Sequence, residues 1–269
     1  MHESGQAFPV VIFTGGPAVD TQVLRFTSRL EQQSNIQLLA IISESPIRGF
    51  RGKVLDLWRR RRILAPVILI RNALVATLSA VVAPAHLLQR RHSLRQVRNR
   101  LHFVNNIHSA ETLQLIKNLE PALGLVYGGP ILRPELFSIP SLGTLGIHHG
   151  KVPHYRGKKT TFWAMYNGEP DVGVIIQMIG SNLDEGDIVM QANLSVGRQP
   201  LPWVRRKLDE IGLDLYLSAI DAMLDGSASY SSQPVSAAPQ RLYKDPTASD
   251  IVRFWGKYVV RLFRSFDRA

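Results

Sequence analysis

His148 is the residue of this chain best placed to move a proton. It ends the apolar run Thr144 to His148 and is followed by Gly150 and Pro153, which constrain the next loop. A histidine held at a loop mouth has a fixed ring, access to ligand, and a charge that changes near neutrality. A second turn-rich stretch, Leu183-Asp184-Glu185-Gly186-Asp187, supplies a carboxylate. A carboxylate beside an imidazole orients the ring and stabilises its protonated form, the arrangement that general acid–base chemistry needs. Because Asp184 follows a strand-like run, Val172 to Met178, parallel-sheet logic brings it to the edge that carries His148. Either residue alone reads as a solvated loop position; it is the pair that points to proton transfer. His148, His149 and His154 invite a metal reading, but the chain has no cysteine and no regular His/carboxylate spacing, so no metal site is expected.

The elements that must position this pair follow from periodicity. Phe8 to Phe13 is an apolar run closed by Thr14-Gly15-Gly16-Pro17, an amphipathic stretch covers about 20–33, and a second apolar run spans Ile36 to Ile42. Leu101 to Ile107 reads as a short strand, Ala110 to Leu119 as a helix, and Ala122 to Tyr127 as a buried strand stopped by Gly128-Gly129-Pro130. Thr144 to His148 is a strand end, Thr160 to Tyr166 a helix with an aromatic face, and Val172 to Met178 a strand of alternating type. Leu201 to Leu224 is a long amphipathic helix, and Ala248 to Phe266 another, beyond a Ser/Pro/Ala-rich linker. Strands alternating with helices predict an α/β fold, a doubly wound, mostly parallel sheet with its sites at the carboxyl ends of strands. The expected organisation is one catalytic domain over 1–200, with a basic, apolar helical insertion at 48–100, and a C-terminal helical extension over 201–269.

Composition limits the function classes. The 269 residues suffice for one sizeable core, and the absence of cysteine excludes a disulfide framework and a cysteine nucleophile. The stretch from Met1 to Pro9 has neither the basic nor the apolar part of a secretory signal, so a cytoplasmic protein is expected. A net charge of +11 suggests nucleic acid until it is located: between Arg48 and Arg100 lie thirteen Lys/Arg and a single acid, Asp56. The basicity belongs to the insertion. Within it Ile63 to Leu88 carries one charge, Arg71, between Arg59–Arg62 and Arg90-Arg91. Hydropathy alone makes it a membrane-spanning candidate. One crossing would separate strands that the fold needs in one sheet, so the alternatives are a helical hairpin on the body, a homo-oligomer contact, or a segment lying on an anionic membrane surface. Nucleic acid is not an expected partner.

At Gly146 to Gly157 and Gly173 to Asp187 the chain resembles the 10-formyltetrahydrofolate-dependent formyltransferases, which include glycinamide ribonucleotide, methionyl-tRNA and amino-sugar formyltransferases. The family pattern is roughly Asn-x-His, four residues, Pro-x-Tyr-Arg-Gly, then Thr-Gly-Val-Thr and Leu-Asp-x-Gly-Asp. Tyr155-Arg156-Gly157, Trp163-Ala164, Asn167-Gly168-Glu169 and Gly173-Val174 fall in register, and the specific match is confined to about Tyr127 to Asp187. The resemblance implies a substrate amine attacking the formyl carbon of 10-formyltetrahydrofolate as co-substrate, with His148 and Asp184 catalytic. It also implies a pteridine-binding wall at Gly128, Gly129, Pro130, Ile131 and Leu132, with Asp187 at the end of the second motif. Tyr155-Arg156-Gly157 is read as a scaffold for the loop. Thr14-Gly15-Gly16 is a candidate phosphate or acceptor contact at a helix start.

One departure stands out. The family's asparagine, which donates to the tetrahedral oxyanion, aligns with Gly146, and deleting one such donor costs roughly 100- to 1,000-fold in rate. Three readings stay open. Another donor replaces it, with His149, Lys151 or a backbone amide freed by the glycine as candidates; or the site binds a folate-like ligand without turnover; or it hydrolyses formyl-folate, as His148-His149 suggests by likeness to the paired histidines of formyltetrahydrofolate deformylases. Those enzymes carry an N-terminal regulatory domain, for which no room is expected here. The tRNA enzymes rely on a C-terminal domain larger than the residues that remain, so the expected acceptor is the amine of a small molecule, an amino sugar by elimination.

Overall fold

The computed structural model describes residues 7–16, 21–45, 92–233 and 241–264, with side chains to 260. The apolar stretch 63–88 and the expectations attached to it lie outside the described residues. Seven strands form the central sheet: β1 (Phe8–Gly15), β2 (Ile36–Glu44), β3 (Leu101–Val104), β4 (Leu123–Val126), β5 (Thr144–His148), β7 (Asp171–Met178) and β8 (Ile188–Ser195). Their order is β3-β2-β1-β4-β5-β7-β8. The first five run parallel, and β7 and β8 are antiparallel to their neighbours. The chain reverses its winding between β1 and β4, the point at which open α/β sheets place their ligand crevices.

Strand β7 is not alternating: all six of its interior residues, Val172 to Gln177, are buried. It lies between β5 and β8 inside the sheet, with helices on the face of Val172, Val174 and Ile176 and loop residues such as Lys151 and Gln233 on the other. The alternation belongs instead to β8, which the sequence pattern did not mark and which forms the sheet edge with exposed Gln191, Asn193 and Ser195.

One face of the sheet is covered by α1 (Thr21–Leu30) and by α5 (Leu201–Asp225); α2 (Ala110–Leu119) and the short α3 (Pro134–Phe137) cover the other. A small two-stranded sheet joins β6 (Arg156–Gly157) to β9 (Leu242–Tyr243), with α4 (Thr160–Asn167) beside it and α6 (Ala248–Arg264) after it. Helix α2 forms where expected: Ser109 caps it by accepting from the Thr112 amide, and Glu120 ends it in the left-handed region.

Helix α5 is a layer of the core rather than an appendage to it. Tyr216 at its centre is fully buried, stacks on Phe26 at 4.9 Å, and lies 2.8 Å from the Leu145 carbonyl and 3.2 Å from that of Val126. The core packing therefore continues past residue 200 into α5. The end of the basic segment also belongs to the body: Val97 is buried in the same core, and Arg100 meets Glu31 at 2.5 Å.

Candidate active site

His148 closes β5 and is 8% exposed. Its Nε2 lies 2.8 Å from the carbonyl oxygen of Tyr155, and its Nδ1 lies 3.3 Å from Asp184 Oδ1. A carbonyl only accepts, so Nε2 carries the hydrogen of that bond, and the proton the pair can exchange lies on the Nδ1 side. Burial lowers the pKa of the imidazole below its ordinary value, while the Asp184 carboxylate and the Tyr155 carbonyl pull it back up. Nδ1, facing Asp184, is the ring atom left to take up a proton.

The route by which Asp184 arrives differs from the sequence expectation. Strand β7 runs antiparallel to β5, pairing His148 with Ile175 and Leu145 with Met178, so its end lies at the far end of β5. Asp184 reaches His148 because residues 179–187 fold back along the strands. Arg156, 7% exposed, holds that loop: its Nε donates to the Leu183 carbonyl at 3.1 Å, Nη2 donates to the same oxygen, and Nη1 meets Glu185 at 2.5 Å. The Gly157 amide donates to Asp184 Oδ2 at 2.9 Å, which leaves Oδ1 to His148. Gly186 packs so closely on Met178 that a Cβ there would overlap the Met178 carbonyl oxygen. Asp184 itself sits at φ 55, a left-handed conformation that aspartate tolerates better than most residues.

A second tier secures the His148 side. Tyr155 donates to Glu169 Oε1 at 2.8 Å and accepts from Asn167 at 3.2 Å, and burial pushes its hydroxyl up to about 12. Tyr243 of β9 stacks on Tyr155 at 5.4 Å, and its carbonyl accepts from the Lys158 amide at 2.8 Å. Residues of the C-terminal segment thus brace the loop whose Tyr155 carbonyl and Gly157 amide hold the pair. Tyr243 gave no signal in the sequence, because its role rests on a pairing across more than eighty residues.

Two cavities meet at the pair. One, of about 190 Å³, is lined by Gly128 to Leu132, Gly146, Gln177, Ile179 and the 180–184 loop, and includes Asp184. The other, of about 290 Å³, includes His148, His149, Lys159, Thr160, Arg205 and Asp209. The candidate wall Gly128, Gly129, Pro130, Ile131 and Leu132 and the glycine Gly146 therefore share the first cavity. Asp187 is turned away, its carboxylate accepting from Ser232 at 3.0 Å. Gly15 and Gly16 lie outside both cavities; Gly15 packs by Pro130, and the Gly16 amide donates to Glu44 at 2.9 Å. His149 opens on the second cavity, with Nε2 3.1 Å from Asp209 Oδ1, close enough for an ion pair but off the line of a hydrogen bond. Lys151 is held by Asp171 at 2.8 Å. Neither His149 nor Lys151 lines the cavity of Gly146.

A histidine–carboxylate pair at a strand end of a mostly parallel sheet, beside two cavities, gives this α/β domain a site that can exchange a proton. Residues 71–200 match the formyl transferase family. Among curated relatives, a methionyl-tRNA formyltransferase from Thermodesulfovibrio yellowstonii is 33% identical over 137 residues, 49% of this chain and 44% of that enzyme. Another, from Pelotomaculum thermopropionicum, is 27% identical over 155 residues, 54% of this chain and 50% of that enzyme. The chain spans about half the length of the curated relatives it matches. Glycinamide ribonucleotide transformylase 1 from Symbiobacterium toebii superposes with a TM-score of 0.56 at 14% identity, over 83% of this chain and 90% of that one. A sugar N-formyltransferase from Shewanella sp FDAARGOS_354 gives 0.56 at 14%, over 92% and 86%. Likeness at such identity establishes the fold.

Proposed function

We propose that the domain transfers the formyl group of 10-formyltetrahydrofolate to the primary amine of a small acceptor, an amino sugar in the first instance. The observation that carries this reading is the position of the His148–Asp184 pair beside two cavities, the second more polar than the first. The first cavity has the build a flat heterocycle needs: apolar walls from Val126, Leu132 and Ile179, and a rim of backbone at Gly128, Gly129 and 180–184. No side chain crowds Gly128. The second cavity is polar and charged, and its Lys159, Thr160, Thr161, Arg205 and Asp209 suit an acceptor rich in hydroxyl groups. The pair is then set to take the proton that the amine loses as it attacks.

Calorimetry with 10-formyltetrahydrofolate and with folinic acid tests the donor side, and mass spectrometry of amino-sugar nucleotides incubated with donor and protein tests transfer. Binding of both folates and a formylated product that vanishes in His148→Ala are expected. No heat and no thermal shift at millimolar folate would refute the assignment, and binding without formyl loss would leave a ligand-binding module instead.

A further inference from the structure

Gly146 removes the side chain that would polarise the formyl oxygen, yet the strand beside it offers another. Gln177 of β7 is the register partner of Gly146 on β5. Directly opposed residues of an antiparallel pair project to the same face, and both line the same cavity as Asp184. Gln177 is 3% exposed and is the one amide in the apolar run Val172 to Met178. At Ile176/Gln177 the ladder to β8 shifts register, a bulge of the kind that re-aims side chains near active sites.

The orientation of this amide follows from its neighbours. Gln233 Nε2 donates to the Gly186 carbonyl at 2.8 Å and to Gln177 Oε1 at 3.0 Å. The Gly186 carbonyl can only accept, so it sets the nitrogen of Gln233 toward this point, and that nitrogen in turn sets the oxygen of Gln177 toward Gln233. The Gln177 NH2 group is thereby directed elsewhere, and it has no partner among the described residues. An oriented amide with two unused N–H groups at the wall of this cavity is free to donate to a bound ligand. The space that a side chain at Gly146 would need is taken by Ile179, whose Cδ1 lies 2.5 Å from the position of a Cβ there. An isoleucine thus fills the place that such a side chain would take.

We propose that Gln177 is the oxyanion donor of this site. The inference rests on the formyl-transfer reading above. As the amine nitrogen bonds to the formyl carbon, the C=O π electrons move onto oxygen, which accepts from Gln177 Nε2. The proton released by the amine passes to the His148–Asp184 pair. Collapse of the intermediate breaks the bond from carbon to the folate nitrogen, which takes up that proton, and the formamide leaves.

The test is loss of the formyl group from 10-formyltetrahydrofolate, with an amino-sugar nucleotide as acceptor, in wild type, Gln177→Met and Gln177→Glu. Both variants keep the size of the side chain and remove the amide donor. The expected result is a drop of roughly 100- to 1,000-fold in kcat with donor affinity by calorimetry within about threefold of wild type. Restoring an amide from the other strand, in Gln177→Met with Gly146→Asn and Ile179→Val, should recover at least about tenfold. Gln177→Met with near-wild-type kcat overturns the inference, as does parallel loss of turnover and donor binding, which would mark a strut with Gln233. Wild-type protein that binds donor but never releases formyl sinks the transfer reading, and this inference with it. An active wild type with an equally active Gln177→Met sinks this inference alone.

Discussion

Gly146→Ala probes the place that Ile179 fills. In an extended strand position alanine restricts the unfolded chain and by that route stabilises by about 0.4–1 kcal/mol. Here the new Cβ meets Ile179 Cδ1 at 2.5 Å, and relieving such overpacking costs about 1–3 kcal/mol. The net expectation is a loss of about 1–2 kcal/mol. Ile179→Val deletes the Cδ1 methyl itself and alone costs about 0.5–1.5 kcal/mol. In the double variant the nearest Ile179 atom that remains is Cγ1, 3.4 Å from the Cβ, an ordinary contact. The pair should therefore be no less stable than Ile179→Val alone, a coupling of about 1–2 kcal/mol against the 0.3–0.5 kcal/mol within which independent sites add. Urea unfolding of the four proteins, followed by circular dichroism, reads the cycle, and each 1 kcal/mol moves Tm by about 2–4 °C for a domain of this size. Additive effects, or a Gly146→Ala protein as stable as wild type, would refute the argument that Ile179 occupies the place of the missing side chain.

Arg156→Lys keeps the charge but loses the fork that grips Leu183 and Glu185; formyl release should fall about 10- to 100-fold, since small displacements of a catalytic group are costly, and an unchanged rate would remove Arg156 from the positioning of Asp184. Tyr216→Phe leaves the Leu145 and Val126 carbonyls without a buried donor and should destabilise by about 1–1.5 kcal/mol in urea unfolding; stability within about 0.3 kcal/mol of wild type would mean these bonds contribute nothing net. Burial holds folded His148 below the ordinary value of 6.5, so the unfolded chain binds its proton first; stability is full above about pH 6.5 and falls as pH drops below it. Thermal unfolding from about pH 7.5 to 5 should show a shallower slope in His148→Gln, and equal slopes would count against the shift. Liposome co-sedimentation of the whole chain and of a chain lacking 63–88 checks the membrane-surface expectation: binding to anionic vesicles should weaken on deletion, and equal partitioning would remove that segment from the interaction.

Most of the framework was legible because it is written in local pattern. The apolar runs at Phe8, Ile36, Ala122 and Thr144 became β1, β2, β4 and β5, and the capped segment Ala110–Leu119 became α2. Where local pattern misled, long-range packing was the reason. Strand β7 lost its alternation because both of its faces are covered, and β6 and β9 are two-residue strands that exist only through each other.

The site divides in the same way. Residue chemistry and spacing singled out His148 and Asp184, and it was the resemblance to the formyltransferases that marked Gly146 as a departure. That the two lie 3.3 Å apart was decided by the fold-back of 179–187 under Arg156, against the direction that strand order suggested. What stands in for the absent asparagine was beyond any reading of neighbours along the chain, since Gln177 and Ile179 are more than thirty residues from Gly146 and meet it only across a ladder of hydrogen bonds. A sequence specifies which side chains exist and the local periods that make strands and helices; which of them share one face of one cavity depends on register between distant strands, and that is settled only when the whole core packs.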